Sequence, residues 1–238
     1  MTETAVHRPS SLPAPAPRLE LVGEGHPVVI VDDASGQPDA VRALAAALAP
    51  FPPAQHHYPG VRRIVDERDG AAWDYVHALV ETVGPYIGGA FDCGAFDLVE
   101  ASFSIVTTLP GALAPPQRAP HFDGTDPDLV AMVHYLADVP GSGTAFFRHR
   151  ATGIDQLTDA NVDAYVDLAR LEGMTTTGYV QGSDRFYDML FRADARLDRL
   201  LIYRGSMLHS GIIPPDMPLD PDPLKGRLTA NYFLKLTR

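Results

Sequence analysis

The sequence predicts an α+β fold: a double-stranded β-helix (jelly roll) core with flanking N-terminal helices. Three observations carry this. Helix-forming segments come first, β-branched and aromatic segments follow at long, irregular intervals, and no GxGxxG or GxxxxGK[ST] loop occurs. Helices followed by a run of strands indicate sheets with helices packed outside them, and irregular strand spacing suits two facing sheets better than a meander.

Residues 9–17 read PSSLPAPAP, a polyproline II-prone stretch with little to bury. Residues 1–18 are therefore expected to be a disordered tail, and 19–238 a single jelly-roll domain. Short strands are expected at 19–22 and 28–31, on either side of GEGHP. The segment 39–49, DAVRALAAALA, is rich in Ala and Leu between Pro38 and Pro50 and reads as a helix. A loop, FPPAQHHYPGVRR, leads to a second helix at 71–83, with Gly84-Pro85 as its stop. Strands are expected at 98–109, 129–137, 144–149, 197–203 and 227–236, all bounded by Gly, Pro or Asp. A helix at 159–171 and a shorter one at 183–191 interrupt them.

Nineteen basic residues against thirty acidic ones leave a formal charge of −11. Such a surface repels phosphate backbones and anionic lipid, so neither a nucleic-acid nor a membrane partner is expected. No apolar run is long enough to span a bilayer, and residues 1–11 lack the apolar core of a secretory signal, so a soluble, cytoplasmic protein is expected. The one cysteine, Cys93, excludes an intrachain disulfide and a thiolate zinc cage, and reads as an idle or buried thiol.

Position sorts the nine histidines. His7 and His26 fall in the tail and a Gly-rich turn; His56-His57 reads as a polar loop tip; His77 lies in a helix. His149 sits between Arg148 and Arg150 as a basic strand end, and His134, inside LVAMVHYLAD, as a hydrogen-bonded core residue. His121 and Asp123 differ. In an extended segment they project to the same side, about 7 Å apart, where an imidazole and a carboxylate can chelate one cation. His209 lies in GSMLHSG after an apolar strand, and two histidines with one carboxylate make the facial set of non-haem iron(II) oxygenases. Such a site needs a cation for the far carboxylate of its co-substrate. Arg227 opens the last strand, and its planar, permanently charged fork suits that task. Asn231 shares strand parity with Arg227 and Thr229, while Arg62, Arg63 and Arg118 read as solvated charge.

The order PHFDG, HYL, GSGTAFF, GSMLHSG and GRLTANYF resembles the Fe(II)/2-oxoglutarate-dependent dioxygenases, especially their prolyl 4-hydroxylase-like branch. The resemblance covers roughly residues 100 to 236, and five elements in the right order are far more specific than any one of them. It implies that His121, Asp123 and His209 bind Fe(II) and that Arg227 salt-bridges the C5 carboxylate of 2-oxoglutarate. The implied activity is an O₂-dependent oxygenase of the hydroxylase type, acting on a small-molecule or amino-acid-type substrate. Two departures stand out: the Pro- and Asp-rich insert IIPPDMPLDPDPLKG between His209 and Arg227, and Ser142 at the second glycine of the third element. A cupin-like jelly-roll protein that binds metal or a small ligand without turnover is the alternative.

Overall fold

A computed structural model describes residues 16–55 and 57–237. Ten strands and three α-helices follow one another as β1 (Pro17–Val22), β2 (His26–Val31), α1 (Pro38–Ala47), β3 (Gly60–Val65), α2 (Ala71–Phe91), β4 (Ala95–Val106), β5 (Leu129–Tyr135), β6 (Gly143–His149), α3 (Val162–Gly173), β7 (Tyr187–Asp194), β8 (Leu200–Arg204), β9 (His209–Ile212) and β10 (Leu228–Thr237). The strands form a seven-stranded sheet, β1-β2-β8-β5-β10-β4-β3, and a three-stranded sheet, β7-β6-β9. Every pairing is antiparallel. From β4 onward the chain passes back and forth between the two sheets, which is the jelly-roll pattern. Among the described residues no helix is long and apolar enough to cross a membrane.

The large sheet is buried on both faces, which explains why its central strands read as unbroken apolar runs. Val29 and Val31 of β2 pack with Leu200 and Ile202 of β8 under α1 and α2, joined by Val41, Tyr75, Leu79, Val83 and Ile87. Their neighbours Val28 and Ile30 point the other way and meet Phe146, Leu201 and Tyr203 between the sheets. The period-2 alternation of strands thus splits each apolar run between two cores. Helix α3 closes the far side of the small sheet through Tyr165, against Phe147, Tyr187 and Leu208.

Several expectations change. Residues 1–15 of the expected tail lie outside the described residues, but Pro17 and Arg18 already pair with Val31 and Ile30, so the boundary at residue 18 falls inside β1. Helix α2 does not stop at Gly84-Pro85 but runs to Phe91. Pro85 removes one backbone donor, yet Ile87 and Phe91 beyond it are buried against the sheet, and that burial carries the helix onward. The segment expected as a short helix at 183–191 contains strand β7 instead, paired along β6 with Phe191 stacked on Phe146. Strands β3 and β9 were not foreseen; β3 occupies the end of the segment expected to be a loop.

Candidate active site

His121 and His209 are brought together by backbone pairing. The two residues exchange both hydrogen bonds, His121 N–H to His209 O and His209 N–H to His121 O, each 2.8 Å. Asp123 N–H then donates to Gly205 O at 2.7 Å. An added Cβ at Gly205 would lie 3.1 Å from Asp123 Cβ, so a glycine is what lets this segment approach so closely. The result is a cluster in which one ligand atom each of His121, Asp123 and His209 lies within 4.8 Å of the others. Asp123 spans the pair: Oδ1 is 4.0 Å from His121 Nε2, and Oδ2 is 3.7 Å from His209 Nε2.

The surroundings select the ligand atoms. His209 Nδ1 lies 2.8 Å from the Met207 carbonyl, which can only accept, so Nδ1 carries the proton and Nε2 keeps its lone pair for a cation. Tyr203 packs edge-on against the His209 ring at 4.8 Å and fixes its plane. The His209 side chain is 5% exposed and Asp123 15%, whereas 53% of His121 opens to the cavity. Burial pushes the Asp123 carboxyl up to about 6, against the pull of His121 and Arg62. The protein atoms crowding the His121 ring, then the neighbouring His209, push it down to about 4. Burial also brings His209 to about 4, opposed by its bond to Met207. Both imidazoles therefore favour the neutral, ligating form, and the carboxylate lacks enough positive charge nearby. A divalent cation supplies what all three need.

The cluster lies in a cavity of about 460 Å³, which Arg227 also lines. Arg227 is 6% exposed. Its Nε donates to Ser142 Oγ at 2.5 Å and its Nη2 to Gly143 O at 3.3 Å, and its Cζ lies 5.5 Å over the Tyr135 ring. Among the described residues no carboxylate pairs with it, although a buried cation ordinarily has a counter-ion. The insert before it does not displace it: Ile213 and Met217 anchor that loop on Val106. Ser142 is thus more than a neutral exchange for glycine, since its hydroxyl holds the guanidinium.

Other expected residues separate. Thr229 and Asn231 line the cavity with Arg227, as strand parity indicates, and Asn231 Nδ2 donates to Thr229 Oγ1 at 3.2 Å. Arg62 also lines it, held across β4 by Ser102 Oγ at 3.0 Å and by Glu100, so it is not simply solvated. Arg118 donates to the Leu113 and Thr176 carbonyls and braces a loop, and Arg63 pairs with Asp69. His56 lies outside the described residues, while His57 reaches the cavity wall. His134 is the core histidine expected, bonded to Tyr75 Oη at 2.6 Å and Asp198 Oδ1 at 2.7 Å. His149 does end β6, as expected, but it is buried there between Thr152 Oγ1 and Glu172 Oε2, each 2.9 Å away. Sequence reasoning missed Tyr165, whose hydroxyl donates to Pro120 O at 2.9 Å and so steadies the residue before His121. Nothing in its helical context signals that contact.

Fold and cluster together define the class: a jelly-roll protein sharing the fold of the Fe/2-oxoglutarate-dependent oxygenases, with two histidines and one carboxylate gathered in its cavity. HygX from Streptomyces hygroscopicus aligns with a TM-score of 0.52 at 12% identity, over 89% of this chain and 83% of that one. Its form with nickel and 2-oxoglutarate bound aligns at 0.51 and 12% identity, over 88% and 83%. SnoN, a non-heme α-ketoglutarate-dependent epimerase from nogalamycin biosynthesis, aligns at 0.50 and 12% identity, over 87% and 78%. At such identity the likeness is one of fold. No curated protein matches the sequence. Residues 13–234 match a family of unknown function, DUF6445, and the chain belongs to that family.

Proposed function

We propose that the protein is an Fe(II)- and 2-oxoglutarate-dependent oxygenase of the hydroxylase type, its residues 17–237 forming one catalytic domain. The observation that carries this is a pairing: a cation-ready His-Asp-His cluster shares its cavity with a buried arginine that has no acidic partner among the described residues. His121, Asp123 and His209 would hold the metal, and Arg227 the distal carboxylate of 2-oxoglutarate. The donor set fits a metal that keeps open positions for small ligands.

Iron and 2-oxoglutarate, when bound, supply the oxidising chemistry with O₂; the chain supplies binding, orientation and a shielded cavity. The Met207 carbonyl keeps the His209 proton on Nδ1. Ser142 and the Tyr135 ring hold the Arg227 fork in place. Phe146 and Tyr203 wall the site away from bulk water behind His209. A small-molecule or amino-acid-type substrate suits a cavity of this size, part of which the co-substrate would fill. Asp123 is a carboxylate where the halogenating members of the resembled family have Ala or Gly, which favours hydroxylation or a related oxidation.

The test is succinate formation from 2-oxoglutarate by the purified protein with Fe(II) and O₂, across a panel of small substrates. Succinate, with a product gaining one oxygen labelled from ¹⁸O₂, supports the reading. A chlorinated product in excess chloride would overturn the hydroxylase type. Metal and 2-oxoglutarate binding without succinate would favour the cupin-like binding protein.

A further inference from the structure

The cavity holds a second arginine, and its surroundings differ from those of Arg227. Arg62 faces inward from β3, and its side chain runs along the neighbouring strand β4. Its Nε donates to Ser102 Oγ at 3.0 Å and its Nη2 to Glu100. Those two acceptors share one face of β4, because Ala101 between them points into the core under the helices. The guanidinium is therefore gripped by its Nε–Nη2 edge, while Nη1 has no acceptor among the described residues. Arg62 lines the cavity, and 21% of its side chain is exposed. A planar fork held on one edge can still receive an anion on the other.

The register of the large sheet places this fork relative to the His-Asp-His cluster. Tyr203, Ala131, Phe233 and Glu100 form one cross-strand row through β8, β5, β10 and β4. At one end of the row Tyr203 packs on the His209 ring; at the other Glu100 holds Arg62. Neighbouring strands lie about 4.8 Å apart, so three steps carry the row across about 14 Å of sheet. Ala131 and Phe233, between the ends, give the cavity an apolar floor, and Val133 and Asn231 of the next row extend it. The charge of Arg62 acts on Asp123, whereas that of Arg227 acts on Tyr135 and Tyr179, so the two cations lie toward different parts of the cavity.

We propose that Arg62 is the substrate anchor, and that the substrate is a small molecule with a short apolar body and a terminal carboxylate. This rests on the reading of the cavity as an oxygenase site whose co-substrate occupies Arg227. The carboxylate meets the open edge of Arg62, the body lies over Phe233 and Ala131, and its other end reaches toward His121, Asp123 and His209. Ser102 and Glu100 are positioning residues that set the angle of the fork. Glu100 also offsets part of the Arg62 charge, which suits a single negative charge; a phosphate dianion would meet a like charge beside its anchor.

The test is a saturation-transfer NMR titration of the protein loaded with Zn(II) and saturating 2-oxoglutarate, which keeps Arg227 occupied and prevents turnover. The probes are pentanoate, hexanoate, norvaline and norleucine, each set against its own carboxamide. The acids should bind about tenfold or more tighter than the amides, the scale of a hydrogen bond to a charged group. Pentanoate against norvaline separates a simple acid from an amino acid as the source of the carboxylate, and a preference for either supports the assignment. Arg62→Met should bring the acids down to the level of the amides, while 2-oxoglutarate affinity, read by calorimetry, stays within about twofold. Acids that bind Arg62→Met as they bind the original protein overturn the proposal. So does a matching loss of 2-oxoglutarate affinity, which would make Arg62 a structural or co-substrate residue. Should Arg62→Met not fold because Glu100 is left unpaired, Arg62→Met combined with Glu100→Gln removes that charge and serves the same comparison. If the unsubstituted Zn(II) protein binds no 2-oxoglutarate, the functional reading falls and this assignment with it. If it binds 2-oxoglutarate but takes acids and amides alike, the assignment of Arg62 alone falls.

Discussion

Replacing Arg227 by Met tests the proposed co-substrate site through two quantities that should move apart. Arg227 is buried against Ser142 Oγ, Gly143 O and the Tyr135 ring, with no carboxylate paired to it among the described residues. Methionine loses two hydrogen bonds from a charged donor, about 1.5–3 kcal/mol each. It also removes a buried, uncompensated charge, whose desolvation costs several kcal/mol. These terms oppose, so folding stability should change by no more than about 2 kcal/mol, in either direction. For 2-oxoglutarate the terms add. Losing a charge-assisted pair to a buried carboxylate costs about 2–4 kcal/mol, or about 30- to 1,000-fold in Kd. Thermal melting of the metal-free protein and calorimetric titration of the Zn(II)-loaded form measure the two separately. If 2-oxoglutarate binds Arg227→Met as tightly as the original protein, Arg227 is not the anchor, and Arg62 is the other arginine in the cavity wall to examine. A collapse in stability of about 4 kcal/mol or more would show that Arg227 is a structural cation.

His121→Ala and His209→Ala each remove one of three ligand groups; both should lose stoichiometric metal binding, read by equilibrium dialysis, while far-ultraviolet circular dichroism stays unchanged. Gly205→Ala should weaken metal binding about tenfold or more, because its Cβ would press on Asp123 and shift a ligand; unchanged affinity in the same dialysis would refute the close-packing argument. Asp198 accepts from Ser35 N–H, Ser35 Oγ–H, Gly36 N–H and His134, so Asp198→Asn should lower the unfolding free energy in urea by about 2–4 kcal/mol at neutral pH. Burial would raise the Asp198 carboxyl, but the bonds from His134 and Ser35 outweigh it and hold it below the ordinary range. Its stabilising contribution is therefore full above the unfolded value of about 3.9 and is lost as pH falls through the lower folded value, so the gap between the two proteins should close on acidification.

The legible strands were those buried on both faces. In β2 and β8, Val28 to Val31 and Leu200 to Tyr203 leave no room for another reading, because both sides of the sheet are covered. Strand β7 was hidden for the opposite reason: in YDMLFRAD only Tyr187 and Ala193 are deeply buried, and the polar residues between them suggest a helix face. Strand β3 carries Arg62-Arg63, a pair typical of solvent, yet Arg62 turns inward because Glu100 and Ser102 receive it. The end of α2 was masked by Gly84-Pro85, a local stop signal overridden by tertiary burial of Ile87 and Phe91. Local rules lost wherever a partner distant in sequence decided the outcome.

The same division runs through the site. His121 and Asp123 can be read because the two-residue spacing alone places them on one side, and their roles need no distant knowledge. The position of His209 depends on four-residue strand β9, too short and too polar to be seen, but held by a reciprocal bridge to His121 and by Phe146 opposite on β6. A slip of one residue there would turn Ser210 toward Asp123 and carry the imidazole to the other face. The cluster therefore exists only when the small sheet is in register, so ligand geometry and sheet pairing are one property of the fold. The arginine side obeys the same logic on the large sheet. Arg227, Thr229 and Asn231 reach one cavity because the intervening Leu228 and Ala230 are claimed by the core under the helices. What no periodicity can reveal is Ser142, whose hydroxyl matters only through the guanidinium beside it. It lies 85 residues before Arg227, and the alternation that orders a strand does not mark it. Its signature is energetic: a buried cation that, among the described residues, is met by a hydroxyl, a carbonyl and a ring face but by no carboxylate.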